Sequence, residues 1–168
     1  MQSFWQRVER VFCKLTPAAL TMFLVFFAAV PMRVPGIAQF MPAFTLINIY
    51  YWGIFLPGAL PYSFLFILGL LQDTFVGAPL GLSSFVNVLL AFFLTIERGN
   101  FGKIMFRSVW FGFAVLSGVI LLLQWSILSF YFAKMLPVMG CFLQWVVTCL
   151  FYPLLHVLFT YVYRVIQQ

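Results

Sequence analysis

The chain has 168 residues, of which 65% are hydrophobic, 21% aromatic and 7% charged, against about a quarter charged in a soluble domain. No soluble fold hides that much apolar surface, so the composition excludes one and requires lipid as the solvent. The formal net charge of +6 does not point to nucleic acid, because the cations cluster at the ends of apolar runs, as membrane-orientation signals do.

Arg7, Arg10 and Lys14 precede the first apolar run. This opening resembles a signal peptide, with Ala28-Ala29-Val30 in the place of a cleavage site. The apolar body that follows makes an uncleaved first span the expectation. That span covers 15–32, with Thr16-Pro17 as N-cap and first-turn proline, and Arg33, Pro35 and Gly36 end it. The second span, 41–56, opens with Pro42 and closes at Pro57-Gly58. The third, 61–76, begins at Pro61 and runs past Asp73, after which Gly77 and Pro79 interrupt the helix. The fourth, 82–96, has Ser83 or Ser84 as its expected N-cap and stops at Glu97. The fifth, 104–132, and the sixth, 136–162, follow. Each is about 40 Å long at 1.5 Å per residue, so tilt or protrusion is expected.

The fold class predicted is all-α: a polytopic membrane protein of about six transmembrane helices in one bundle, forming a single domain over 1–168. No link is long enough to hold an inserted soluble unit. Six spans leave Arg7, Arg10, Lys14, Arg98, Lys103, Arg107 and Arg164 on one side and only Arg33 and Lys134 on the other. The positive-inside rule then places both termini in the cytoplasm.

Of the 3 acidic residues, Glu9 and Glu97 stand beside basic neighbours. Asp73 has none, and it lies about 18 Å into a hydrocarbon core about 30 Å thick. An ionisable group there is costly, hence paired or functional. Gly69, Asp73 and Gly77 are four apart and share a helix face, and glycines let a second backbone approach closely. The carboxylate is therefore placed to accept hydrogen bonds from the amides of 81–84, where the fourth span begins. Two readings stand: a cap that pins the turn over 74–80, or a proton or substrate site. The lack of a Lys, Arg or His relay partner in its leaflet favours the cap, since Lys134 alone approaches from the outer ends of other spans.

Asn48, Gln72, Asn87, Gln124, Gln144, Thr148 and His156 are expected to make interhelical hydrogen bonds. His156 lies three residues past Pro153 and is expected to bond the carbonyl that proline frees. Cys13, Cys141 and Cys149 form no CxxC pair and read as packing residues. There is no HExxH, GxSxG or GK[ST] pattern, and three scattered carboxylates cannot build a catalytic pair or a metal cage. No catalytic residue, metal ligand or cofactor is therefore assigned, and the chain reads as a non-enzyme. Tyr50, Tyr51 and Trp52 fall within the second span as lipid-facing or packing aromatics.

Pro42, Tyr51-Trp52, Pro57, Gly69-Leu70-Leu71-Gln72-Asp73 and Gly77-Ala78-Pro79-Leu80-Gly81 follow the order and spacing of a known central block. Over 42–97 the chain resembles the bacterial rod shape-determining protein MreD family. The resemblance implies a small inner-membrane component of the rod (elongation) complex that regulates cell shape as a non-catalytic scaffold for peptidoglycan synthesis. It implies as partners membrane lipids, an MreC-like scaffold protein, an MreB-like actin homologue, and a RodA-type glycosyltransferase with its transpeptidase partner, and no nucleic acid. The family also resembles the six-span substrate-binding component of energy-coupling-factor transporters, which makes a vitamin-transporter component the alternative. Against it, the outer links are short and apolar, and spans one and three lack an AxxxA motif. Candidate partner surfaces are the Gly69/Gly77 face with the Pro79-Leu80-Gly81 turn, and the Tyr51-Trp52 patch.

Overall fold

The computed structural model describes residues 17–26, 42–97, 106–135 and 137–166. The N-terminal basic cluster, Cys13, Thr16, Arg33 and the basic link over 98–103 lie outside them. Six helices occur among the described residues: α1 (Pro17–Phe26), α2 (Phe44–Phe55), α3 (Tyr62–Val76), α4 (Leu82–Glu97), α5 (Phe106–Tyr131) and α6 (Val138–Ile166). By length and composition α5 and α6 can each cross a membrane, while the other four are shorter apolar helices of 10–17 residues. The second element starts at Phe44 rather than 41, because Pro42 stays outside as a turn residue whose carbonyl accepts the Phe44 amide at 2.9 Å. The Ala43 amide beside it donates to Thr148 Oγ1 of α6 at 3.0 Å.

Antiparallel pairing of α3 and α4 follows from their contacts. Tyr62 Oη and Thr95 Oγ1 lie 2.9 Å apart at one end, Ser84 Oγ donates to the Phe66 carbonyl at 2.8 Å further along, and Asp73 meets Gly81 and Ser83 at the other end. α4 also packs on α2 and α5, and α6 packs on α5 and α2. This leaves α2 enclosed, with every residue from Thr45 to Trp52 buried. Its sequence is apolar nearly all round, the pattern of a helix with no solvent face.

Rings fill the space around α2. Tyr50 packs edge-on against Phe113 with centroids 5.1 Å apart, Phe113 stacks on Tyr152 at 4.4 Å, and Tyr50 Oη donates to the Val109 carbonyl at 2.9 Å. Lipid tails are as apolar as these side chains, so close packing and such hydrogen bonds hold the helices together.

Pro153 lies inside α6. It frees the carbonyl four residues earlier, that of Cys149. The acceptor is taken by Trp110 Nε1 of α5 at 3.2 Å, not by His156 as expected from sequence. His156 packs instead among Tyr51, Phe55 and Tyr152, with ring centroids 5.4, 5.4 and 5.9 Å away. The two share a helix face, but seven residues, about 10 Å of axial rise, separate them, too far for an imidazole to span. An indole on the facing helix reaches that carbonyl.

Candidate functional site

The α3–α4 corner gathers Gly69, Asp73, Gly77, Pro79 and Gly81. α3 extends through Val76, so the turn is shorter than the 74–80 segment expected. Gly77 closes the helix in the left-handed region at φ +71°, where a side chain would strain the backbone. Its amide and that of Ala78 both donate to the Asp73 carbonyl, at 2.9 and 3.1 Å. The second of these is the long bond of a Schellman-type end. Gly81, at φ +99°, then turns the chain into α4.

Asp73 is 0% exposed. Its Oδ2 accepts the Gly81 amide at 2.8 Å, and the Ser83 amide points at both oxygens, 3.1 Å from Oδ1 and 3.2 Å from Oδ2. Ser83 is the second residue of α4, so its amide is the one an N-cap side chain ordinarily satisfies. Neither Ser83 nor Ser84 is the cap, contrary to the expectation, because α4 begins at Leu82 and leaves Gly81 in the cap position. Gly81 has no side chain to offer, and Asp73 reaches across from the preceding helix instead. Its backbone thus ends α3 while its carboxylate begins α4. Negative charge at a helix N-terminus is favourable, and hydrogen bonds to a charged group contribute about 1.5–3 kcal/mol each.

Gly69 makes this reach possible. A Cβ built there would lie 2.3 Å from both Cα and N of Ser84 and 2.7 Å from the Ser83 carbonyl carbon. The contact is with backbone, so the α4 main chain sits directly on α3, and the Gly69 face is filled by this chain's own helix. Ser84, expected from sequence as a cap or an amide donor to Asp73, has a different part: its backbone fills the Gly69 notch and its hydroxyl reaches the Phe66 carbonyl. The GxxxD spacing marks the notch, but nothing local marks Ser84 as its occupant.

The other candidates lie elsewhere. Tyr51 and Trp52, expected as a contact patch, are 1% and 0% exposed and pack on Phe159 with centroids 5.1 and 6.0 Å away. They present no surface to a partner, because α2 is enclosed by α4, α5 and α6. Pro42 and Pro57 bracket α2 at its two ends, Pro57 in an exposed turn with Gly58 at φ +84°. What the corner does expose is apolar: Phe75, Val76 and Leu80 are 50, 68 and 71% exposed. Among the described residues no group of three His, Cys, Asp or Glu side chains could hold a metal.

A family model described as rod shape-determining protein MreD matches residues 9–162. No curated protein and no solved structure matches the chain. The match spans nearly the whole sequence, and the chain belongs to the MreD family, whose members are membrane proteins with a role in determining rod shape.

Proposed function

We propose that this MreD-family protein is a non-catalytic, multi-pass scaffold of the rod complex in the inner membrane, with both termini in the cytoplasm. The observation that carries the reading is the use made of Asp73. Both of its carboxylate oxygens accept backbone amides at the start of α4, those of the cap residue Gly81 and of Ser83, so the charge holds a corner and is not turned toward a substrate. The distribution of Lys and Arg supports the orientation, and the family match supports the pathway.

The corner holds Phe75, Val76 and Leu80 outward on a locked backbone, an apolar ridge suited to the single span of an MreC-like partner. Through that partner the protein would help position the RodA-type glycosyltransferase, its transpeptidase and the MreB-like filament. Cysteines introduced at Val76 and Leu80 should crosslink to cysteines in the partner's span in native membranes. Crosslinks formed only from α5 and α6 would overturn the assignment of this surface.

A further inference from the structure

The two ends of the helix bundle are built differently. Phe44 meets Phe151 and Trp52 meets Phe159, each pair with ring centroids 6.0 Å apart, so equal lengths of α2 and α6 run side by side. Thr45 Oγ1 of α2 reaches Gln72 Oε1 of α3 at 3.4 Å, Leu94 of α4 lies beside Gly53, and Tyr50 packs on Phe113 of α5. These contacts place α2 to α6 on one scale of height, at about 1.5 Å per residue. Where α2 ends, α3 starts, α4 ends, α5 starts and α6 ends, all within about one turn, or 6 Å, of one another. That end is flush. The other is stepped: α3 (Tyr62–Val76) and α4 (Leu82–Glu97) rise about 21 and 23 Å, whereas α5 (Phe106–Tyr131) rises about 38 Å. Counted along α6 from Phe151, Val138 stands about 20 Å past Phe44, in agreement with α5. The α5–α6 hairpin therefore overtops the α3–α4 corner by about 15 Å.

No flat bilayer suits both heights. A hydrocarbon core about 30 Å thick, measured from the flush end, is crossed by the hairpin. Its exposed Tyr131, Phe132 and Lys134 then lie among the headgroups of the far leaflet, where such residues are favoured. The same core runs about 7 Å past the corner, and there the backbone is not helical. The amides of Gly77 and Ala78 both go to the Asp73 carbonyl, so the carbonyls of Thr74, Phe75 and Val76 accept no hydrogen bond among the described residues. The Leu80 amide has no acceptor among them either. Unpaired backbone groups do not persist against lipid tails and need water or a headgroup. Tilting the bundle does not remove the conflict, because a tilt that lowers the hairpin lowers the corner as well.

We propose that the outer leaflet dips by about 7 Å over the α3–α4 corner and keeps its full thickness along α5 and α6, so that the protein holds a step in the bilayer. Phospholipid headgroups and their water fill the dip and supply the hydrogen-bond partners that the turn lacks. The choice of leaflet rests on the orientation proposed above; the step itself needs no partner protein. Because hydrophobic mismatch has a cost for every ångström, the step favours neighbours with short spans on the corner side.

The test uses the full chain, with Cys13, Cys141 and Cys149 changed to Ala, in phosphatidylcholine vesicles. Nitroxide labels are placed on Leu80→Cys at the corner and on Leu122→Cys of α5, both exposed positions about 24 Å above the flush end. Collision of each label with oxygen and with a water-soluble nickel complex reads its depth. In dioleoyl lipid the Leu80 label should sit at headgroup level, about 7 Å shallower than the Leu122 label. The gap should close in thin dimyristoleoyl bilayers and widen in thick dierucoyl ones. Equal depths in dioleoyl and dierucoyl lipid would show a flat bilayer over the corner and overturn the step. A Leu80 label shielded from both quenchers would show protein over the turn, the chain's own segment 27–41 included, and would overturn the dip. Val76→Cys, on the last turn of α3, repeats the reading if Leu80→Cys does not fold. Met135→Cys at the hairpin tip should react with an impermeant thiol reagent in right-side-out membrane vesicles. No reaction there, with the depth gap intact, would overturn the outer-leaflet assignment alone, so the orientation fails separately from the step.

Discussion

Gly69→Ala adds a single methyl group where α4 leaves no space for it. The new Cβ would sit 2.3 Å from Ser84 Cα and N, against about 3.5–4.0 Å for a comfortable carbon contact. Backbone cannot rotate aside, so α4 must move away from α3 by more than about 1 Å. Such a shift carries the Ser83 amide, now 3.1 Å from Oδ1, beyond about 3.5 Å and out of hydrogen-bond range. Overpacking costs about 1–3 kcal/mol, and the weakened bonds to a charged acceptor add about 1.5–3 kcal/mol. The sum, about 3–6 kcal/mol, is a large share of a marginal stability of about 5–15 kcal/mol. Gly53→Ala is the matched control, since its Cβ would meet only Leu94 Cδ1 at 2.7 Å, the end of a side chain that can change rotamer. Thermal unfolding in nanodiscs, read alongside steady-state level in the native membrane, should separate the two. If Gly69→Ala unfolds within about 1 kcal/mol of the parent, smaller than any overpacking cost, the close approach of the two backbones is wrong.

Other substitutions probe the corner and the α5–α6 contact. Asp73→Asn replaces one acceptor oxygen by a donor facing an amide, and should cost about 2–4 kcal/mol, measured by the same unfolding assay. A strain carrying it should round up on depletion of the parent protein; normal rods together with unchanged protein stability would remove Asp73 from both structure and function. Gly81→Ala places a side chain at φ +99° and should cost about 1–3 kcal/mol, where Ala78→Gly in the same turn should cost less. Trp110→Phe leaves the Cys149 carbonyl unpaired and should cost about 1–3 kcal/mol. Pro153→Ala returns an amide to that carbonyl, so the double variant should recover most of the loss. Additive losses in this pair would show that the indole has another role.

Asp73 was legible because its signal is local and chemical. A lone carboxylate in an apolar run must find donors, and it finds them in the amide of Gly81, the cap position eight residues later, and that of Ser83 in the helix that follows. The αL end at Gly77 was legible for the same reason, since only the backbone of a few neighbours is involved. The serines were misread as caps because both are good N-cap residues in sequence, whereas the true cap comes from the helix before. Trp110 shows the opposite case: its partner, Cys149, is 39 residues away, and no local pattern joins an indole to a carbonyl freed by a distant proline.

Composition alone pointed to lipid as the solvent, and Pro61 and Gly77 marked the two ends of α3, because both depend on each residue's own chemistry and its near neighbours. Only the tertiary structure decided what faces what. In a sequence that is apolar on nearly every helix face, no contrast marks the inward side. Tyr51 and Trp52 therefore read equally well as a surface or as the interior, until α4, α5 and α6 closed around them. Gly69 likewise offered a notch to any backbone, and the short turn from Gly77 to Gly81 delivered α4 to it.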